Sequence, residues 1–297
     1  MSRYRLYPTA AQEAVLRTHC AHARFVWNLA CEQHLWWRPG RALAPGWTEH
    51  CRQLTEARGE FSWLRAGSQM VQQQALRDFA QAVSNQVRGS HDRPTWRKAG
   101  QHEGFRVVAV KPENTRRLSR KTGEILVPKV GWVRFRWSRP LPQGTKSYRI
   151  TMDRTDRWHV AFAAIPEPVP APGTGTVVGV DRGVAVSAAL STGQMLRAPR
   201  LSRSRGRRLK LLQRKLARAK RGSMRRRKTQ LAIATLRARE AHARKDWAEK
   251  VSTDLTRQFD VIRVEDLRIR DMCHSVRGTG ESREPSSLPL HSLWLRL

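Results

Sequence analysis

Thr176-Val177-Val178-Gly179-Val180-Asp181 is an apolar run that ends in a carboxylate. Far along the chain, Phe259-Asp260-Val261-Ile262-Arg263-Val264-Glu265-Asp266-Leu267 ends the same way. Valine and isoleucine are stiff at χ1 and suit a pleated surface, so both stretches read as buried strands with an acid at the end. Arg182-Gly183 allows a bend after the first strand. Residues 185–190 read as a second strand, Ser191-Thr192-Gly193-Gln194 as a turn, and Met195 onward as a third. If the strands ending at Asp181 and Glu265 are parallel neighbours, the two carboxylates face one another, and such a pair needs a cation. Mg²⁺ takes oxygen ligands and keeps waters. Two such ions about 4 Å apart would activate water and stabilise the leaving oxygen of a phosphodiester. Taken singly, either acid reads first as a strand-end cap or a surface acid.

A meander with an Asp on its first strand is the opening of a ribonuclease-H-like α/β domain. Between the two acids the chain turns strongly basic. Residues 200–245 carry nineteen Lys and Arg and one acid, Glu240. Leu209, Leu212 and Leu216 recur at helical spacing and Gly222-Ser223 interrupts the run, so two basic helices joined at Gly222 are expected. An ordinary solvated helix mixes charge signs, and this one does not. Phosphate tracking is therefore assigned to Arg207, Arg208, Lys210, Arg214, Lys215, Arg218, Lys220, Arg221, Arg225, Arg226, Arg227 and Lys228.

The whole chain repeats that bias. Its 297 residues hold 57 Lys plus Arg against 24 Asp plus Glu, a net charge of +33. Like charge at that level calls for a polyanion, with nucleic acid first and an anionic membrane surface second. No uncharged apolar run approaches the roughly eighteen residues of a spanning helix, and no secretory signal follows Met1-Ser2-Arg3. Cys20, Cys31, Cys51 and Cys273 form no C-x-x-C pair, and the ten histidines show no ligand spacing. A cytoplasmic, nucleoid-associated protein without a membrane or small-molecule partner is expected.

Upstream, Arg3 to Tyr7 reads as a strand and Thr9-x-x-Gln12 as a capping box. A long helix should run to about Leu35, a short one over Thr48 to Ala57, and a third behind Ser68. Strand-like runs follow at Phe105 to Val110, Ile125 to Val127, Gly131 to Trp137, Tyr148 to Asp153 and Trp158 to Ile165. Short strands joined by turns suggest a small barrel or sandwich. Arg134, Arg136 and Arg139 alternate with bulky residues and read equally as a nucleic-acid groove or a solvent face. Among the tryptophans, most read as core, with Trp36 and Trp37 the best candidates for base stacking, since adjacent residues cannot both face one core.

These motifs together resemble the insertion-sequence-encoded TnpB (OrfB) family, compact relatives of type V CRISPR effectors. The residues are Tyr4-Arg5-Leu6-Tyr7-Pro8-Thr9 with Gln12, and Ala23-Arg24-Phe25-Val26-Trp27-Asn28. Gly179-Val180-Asp181-Arg182-Gly183-Val184, Leu190-Ser191-Thr192-Gly193, the Leu211 to Lys228 basic helix and Val264-Glu265-Asp266-Leu267 complete the set. The resemblance covers about residues 3–272. It implies a multidomain α+β fold. A wedge-type β-barrel (1–8 and 95–165) would hold an inserted helical recognition domain (9–94), followed by a Pro/Gly linker (166–175). An incomplete RuvC-like nuclease domain (176–272) and an atypical tail (273–297) would follow. It also implies a guide RNA, double-stranded target DNA and Mg²⁺, with Asp181 and Glu265 as metal-binding catalytic carboxylates.

The family's four-cysteine zinc ribbon and its third acid, an Asp in a D-x-N-A-A-type context, have no counterpart after Glu265. The acids there are Asp266, Asp271, Glu281 and Glu284, and Cys273 stands alone. Zinc is therefore not expected, the chain reads as C-terminally truncated, and cleavage is expected to be impaired. The alternatives are a nuclease-inactive guided DNA binder or repressor, and a decayed transposon fragment.

Overall fold

The structure is a computed structural model that describes residues 2–36, 45–165, 168, 170–183 and 186–265. Trp37, residues 273–297 with Cys273, and parts of the 166–175 linker lie outside the described residues. The chain divides into two compact units, Met1–Glu167 with Ser204–Ala238, and Pro168–Arg203 with Arg239–Leu297.

The first unit opens with strand β1 (Ser2–Tyr7) and helix α1 (Ala10–Trp36). The capping box between them is formed: Gln12 N donates to Thr9 Oγ1 at 3.3 Å, and Thr9 N donates to Gln12 Oε1 at 3.0 Å. Gln12 Nε2 also donates to the Trp132 carbonyl at 2.8 Å, which fixes the helix start against the sheet. Helices α2 (Trp47–Glu60), α3 (Ser62–Ala66) and α4 (Gln69–Val87) follow. Then come β2 (Gly104–Val108), β3 (Thr115–Arg117), β4 (Thr122–Val127), β5 (Gly131–Arg136), β6 (Ser147–Met152) and β7 (Trp158–Ala163).

These seven strands form one antiparallel sheet in the order β2-β6-β7-β1-β5-β4-β3. β1 is shared: Ser2 to Arg5 pair with β7, while Leu6 and Tyr7 pair with β5. Alternation sends Tyr4, Leu6, Phe105, Val107, Ile125, Val133, Phe135, Ile150, Val160 and Phe162 into a single core. The sheet curls around that core. Tyr148 Oη on β6 donates to the Leu126 carbonyl on β4 at 2.9 Å, although three strands separate them along the ladder. The expected closed barrel is not found among the described residues: β2 and β3 are the two edges of the sheet and share no ladder. β3 has three residues, too few to carry the ladder further.

Helix α1 serves two cores. Leu16, Cys20 and Ala23 join Val71 and Ala75 of α4 against the sheet. One and two turns later, Val26, Trp27, Ala30 and Cys31 meet Leu54, Leu64, Leu76 and Phe79 in a helical core. Each Val, Leu or Phe among them, fully buried, contributes roughly 1.5–3 kcal/mol.

Histidines are unusually frequent in these interiors. Burial lowers His19, His22, His34 and His50 below the ordinary imidazole range. Burial, then Arg3, pushes His159 down to about 4. Each is neutral in the fold and would take a proton more readily when unfolded. Their stabilisation is complete above pH 6.5 and is lost as pH falls toward the folded values. For His159 the loss is about 2 kcal/mol between pH 6.5 and pH 4. Melting followed at pH 7 and at pH 5 should show a lower Tm in acid, and His159→Phe should flatten that dependence.

The second unit holds β8 (Val177–Asp181), β9 (Ala188–Leu190), β10 (Met195–Leu196) and β11 (Val261–Val264) in the order β10-β9-β8-β11. β8, β9 and β10 are antiparallel, and β11 runs parallel to β8. A parallel return needs a long crossover. Helices α5 (Arg203–Arg218) and α6 (Met224–Gln258) lie within that connection.

Candidate functional site

β8 lies between β9 and β11, with Val178 fully buried on one face. Val177 pairs with Val261, Gly179 with Arg263 and Val180 with Val264. Asp181 ends β8, and Glu265 directly follows Val264. Continuing the register by one residue sets the two acids side by side. Register partners in a parallel pair share a face, and neighbouring strands are about 4.8 Å apart. Both acids are exposed. Asp181 meets Ala189 across on β9, a small neighbour. Oxygen donors alone suit a hard divalent cation better than zinc, which favours sulfur and imidazole. Among the described residues no group of three or more His, Cys, Asp or Glu is gathered for a metal.

The register is held by a residue that the sequence reading passed over. Asp260 accepts hydrogen bonds from Gly173 N at 2.7 Å, from Gly175 N, and from Thr174 Oγ1 at 3.2 Å. The Thr176 carbonyl accepts from Asp260 N and Val261 N, and Thr176 Oγ1 donates to the Gln258 carbonyl. The entry to β8 is thereby clamped to the entry to β11. The Gly173 amide, before the other donors, holds the Asp260 carboxyl below the usual carboxylate range. The clamp is present above the ordinary Asp range and is lost as pH falls through the lowered value. Asp260→Ala should speed amide hydrogen exchange at Val178, Val180 and Ile262 while amides of β1 and β7 stay protected. Unchanged exchange would assign register control elsewhere.

The basic helices take a different form. In α5 and α6 the first turn has no acid, although a helix start favours negative charge. Arg207, Arg208, Lys210, Arg214, Lys215 and Arg218 on α5 are exposed, as are Lys220 and Arg221 in the connection and Arg225, Arg227 and Lys228 on α6. Leu209, Leu212 and Leu216 form the partly buried stripe of α5. Gly222 turns the chain at φ +81°, a conformation that costs glycine nothing. Ser223 Oγ accepts from Arg226 N at 3.2 Å and caps α6. Arg226 is the exception among the twelve. It is partly buried, and its Nη1 donates to the carbonyls of Leu216 at 2.8 Å and Ala219 at 3.2 Å. That guanidinium holds the end of α5 and so is engaged within the protein. Arg214, Lys215, Arg218, Lys220 and Arg225 line an open cleft of about 600 Å³ with Leu211, Ala219 and Ser223.

Comparison with known proteins gives this arrangement its context. A Streptomyces pristinaespiralis protein named as an RNA-guided DNA endonuclease is 32% identical over 91% of the chain, which spans 67% of that relative. Residues 159–276 match the profile of OrfB from IS605 elements, described as a probable transposase. The chain belongs to the OrfB family. InsQ of Escherichia coli K12, also named as an RNA-guided DNA endonuclease, is 28% identical over 93% of the chain, which spans 68% of InsQ. Solved structures are more distant. A Cas12f1–sgRNA–target DNA complex matches 84% of the chain with a TM-score of 0.48 and 14% identity. A CRISPR–Cas12f ternary complex matches 89% with a TM-score of 0.41 and 11% identity. The chain spans 64% of the length of each.

The OrfB match to residues 159–276 takes in both acids and both basic helices. A second profile of the OrfB family, described as a helix-turn-helix domain, matches residues 2–38. The described part of that stretch is instead one strand and one helix unbroken from Ala10 to Trp36. Arg134 and Arg136 face away from the core on β5, Arg134 beside Glu124 at 3.5 Å. Trp27 is core, as expected, and Trp36, Trp47 and Trp63 are exposed.

Proposed function

We propose that this OrfB protein acts as a TnpB-like RNA-guided DNA endonuclease, with Asp181 and Glu265 as the carboxylates that hold Mg²⁺. The observation that carries the reading is the parallel register of β8 and β11, whose last pair, Val180 with Val264, immediately precedes the two acids. When bound, the metal supplies an activated water and charge stabilisation for phosphodiester hydrolysis. The protein's own part is to hold two oxygen donors at neighbouring strand ends, with Asp260 keeping the strands in step.

The guide RNA and double-stranded target DNA are assigned to the basic surfaces, with α5 and the start of α6 following phosphate backbones. Base pairing would read sequence while the protein grips backbone. In this reading 176–272 belongs to a RuvC-like nuclease domain, the curled sheet (1–8 and 95–165) is the wedge, and 9–94 is the inserted recognition domain. The experiment is expression beside the native flanking DNA, followed by sequencing of RNA that copurifies. A discrete transcript from that flank supports the reading. Only bulk cellular RNA, in proportion to its abundance, would overturn it.

A further inference from the structure

The outer face of α1 carries a cleft whose lining includes neither the two carboxylates nor any residue of the basic helices. Phe25 and Leu29 lie one turn apart on it, 44% and 47% exposed. Trp63 of α3 closes one side, 46% exposed, with its ring edge-to-face against Phe25 at 5.0 Å. Trp96 lines it too and is 50% exposed. The cleft measures about 530 Å³. Large aromatic side chains left half in water, around one concavity, mark a binding surface.

The position of Trp96 is built with care. Residues on either side of it are tied by backbone to α1. Trp27 Nε1 donates to the Thr95 carbonyl at 2.9 Å. Asn28 Nδ2 donates to the Arg97 carbonyl at 3.0 Å, and Arg97 N donates back to Asn28 Oδ1 at 2.8 Å. Cys31 Sγ contacts the Pro94 carbonyl at 3.5 Å. The Arg97 guanidinium lies 3.6 Å from the centre of the Trp27 ring. Thr95 and Arg97 are fastened, and the tryptophan between them is the residue presented outward. On the other side, His22 packs on Trp63 at 5.4 Å. The aromatic walls are held before any ligand arrives, which lowers the ordering cost of binding.

The surroundings decide the occupant. Arg93 and Lys98 flank Trp96 and are exposed. Lys129 Nζ donates to the Ala66 carbonyl at 2.8 Å, three residues past Trp63. Arg24, paired with Glu103, stands in the lining itself, and apolar walls beside a cation suit a flat ring attached to a phosphate backbone. Every base has a π-face, so this kind of capture tolerates sequence. Glu32, partly exposed at the lining, offers an acceptor to an exocyclic amine.

We infer that the Phe25–Trp63–Trp96 cleft captures an unpaired nucleobase of a nucleic-acid strand bound to this protein. The inference rests on the nucleic-acid reading above and adds a base-dependent contact to it. The test uses the full chain with three probes of one length: twelve-nucleotide oligouridylate, twelve-nucleotide oligothymidylate, and a twelve-unit abasic strand. The expected result is binding of a base-bearing strand roughly 5- to 150-fold tighter than the abasic one, the range one stacked base supplies, with quenching of tryptophan fluorescence. Trp96→Ala should bring the ratio toward one. Phe25→Leu, a milder change on a solvent-facing helix position, should reduce it in the same direction if Trp96→Ala fails to fold. A uridylate-only preference identifies RNA as the source, and an equal preference identifies single strands of either kind. Equal affinity for base-bearing and abasic strands in the unaltered chain, or a ratio unmoved by both substitutions, overturns the inference. Failure of all three strands to bind at low salt would instead overturn the nucleic-acid reading.

Discussion

Asp181→Ala is expected to lower Mg²⁺-dependent DNA cleavage by roughly three orders of magnitude or more while changing nucleic-acid affinity less than about two-fold. The reason is geometric. Asp181 and Glu265 are exposed, and continuing the strand register sets them side by side on one face of β8 and β11. Removing either leaves a single carboxylate, which cannot hold a divalent ion against its hydration shell as a pair can. Binding should survive because the exposed cations on α5 and α6 do not depend on this face for their charge. Glu265→Ala should match Asp181→Ala, and the double variant should cost little more than either alone, since the two act as a unit. The chain spans about two thirds of its named relatives, so metal binding should be read beside cleavage. Titration with Mn²⁺, followed by its electron spin signal, should show an ion bound by the unaltered chain and released by Asp181→Ala. Cleavage or Mn²⁺ binding that persists in both single variants would remove these residues from the site.

A second large effect is expected from salt. Eleven of the twelve cations assigned to phosphate tracking are exposed along α5, its connection and the start of α6. If six to ten of them meet phosphates, affinity should fall about 10³- to 10⁵-fold between 50 and 200 mM salt, because each contact releases a counterion. Replacing Arg225, Arg227 and Lys228 together by alanine should lower the log–log salt slope by about two to three units. Arg226→Ala should behave differently. Its guanidinium holds the carbonyls of Leu216 and Ala219, so its loss should appear first as earlier melting of the hairpin. A slope that ignores the triple substitution would move the phosphate-binding surface off this hairpin.

Much of the fold could be read before the structure, for identifiable reasons. Thr9 and Gln12 announced a helix start by their chemistry, and both reciprocal bonds are present. Gly131 to Arg136 shows strand alternation because one face meets a core and the other meets solvent. The strand Thr115–Arg117 was missed because three residues show no period. The open edge between β2 and β3 was equally hidden, since closure depends on strands far apart in sequence. At the carboxylates, the residue types and their strand-end positions were visible, but their adjacency required the parallel pairing. Asp260 escaped notice because its partners are the backbone amides of Gly173 and Gly175, which have no side chain to read. The sequence reading singles out Trp36 and Trp37 for base stacking and does not point to Trp96. Only the hydrogen bonds fixing Thr95 and Arg97 distinguish Trp96 from any other exposed tryptophan.

The shared strand at the amino terminus bears on how the molecule is made. Arg3 pairs with Ala161 and Tyr7 with Arg134, so β1 waits for nearly the last strand of its sheet to be made. Until then its hydrogen-bonding edges stay uncovered, a state that invites association with other chains. Contacts so remote in sequence also slow folding. Production at low temperature, or together with a polyanion that shields nascent cationic segments, should raise the soluble yield. A bulky fusion placed directly on Ser2 should lower it, because β1 has neighbours on both sides.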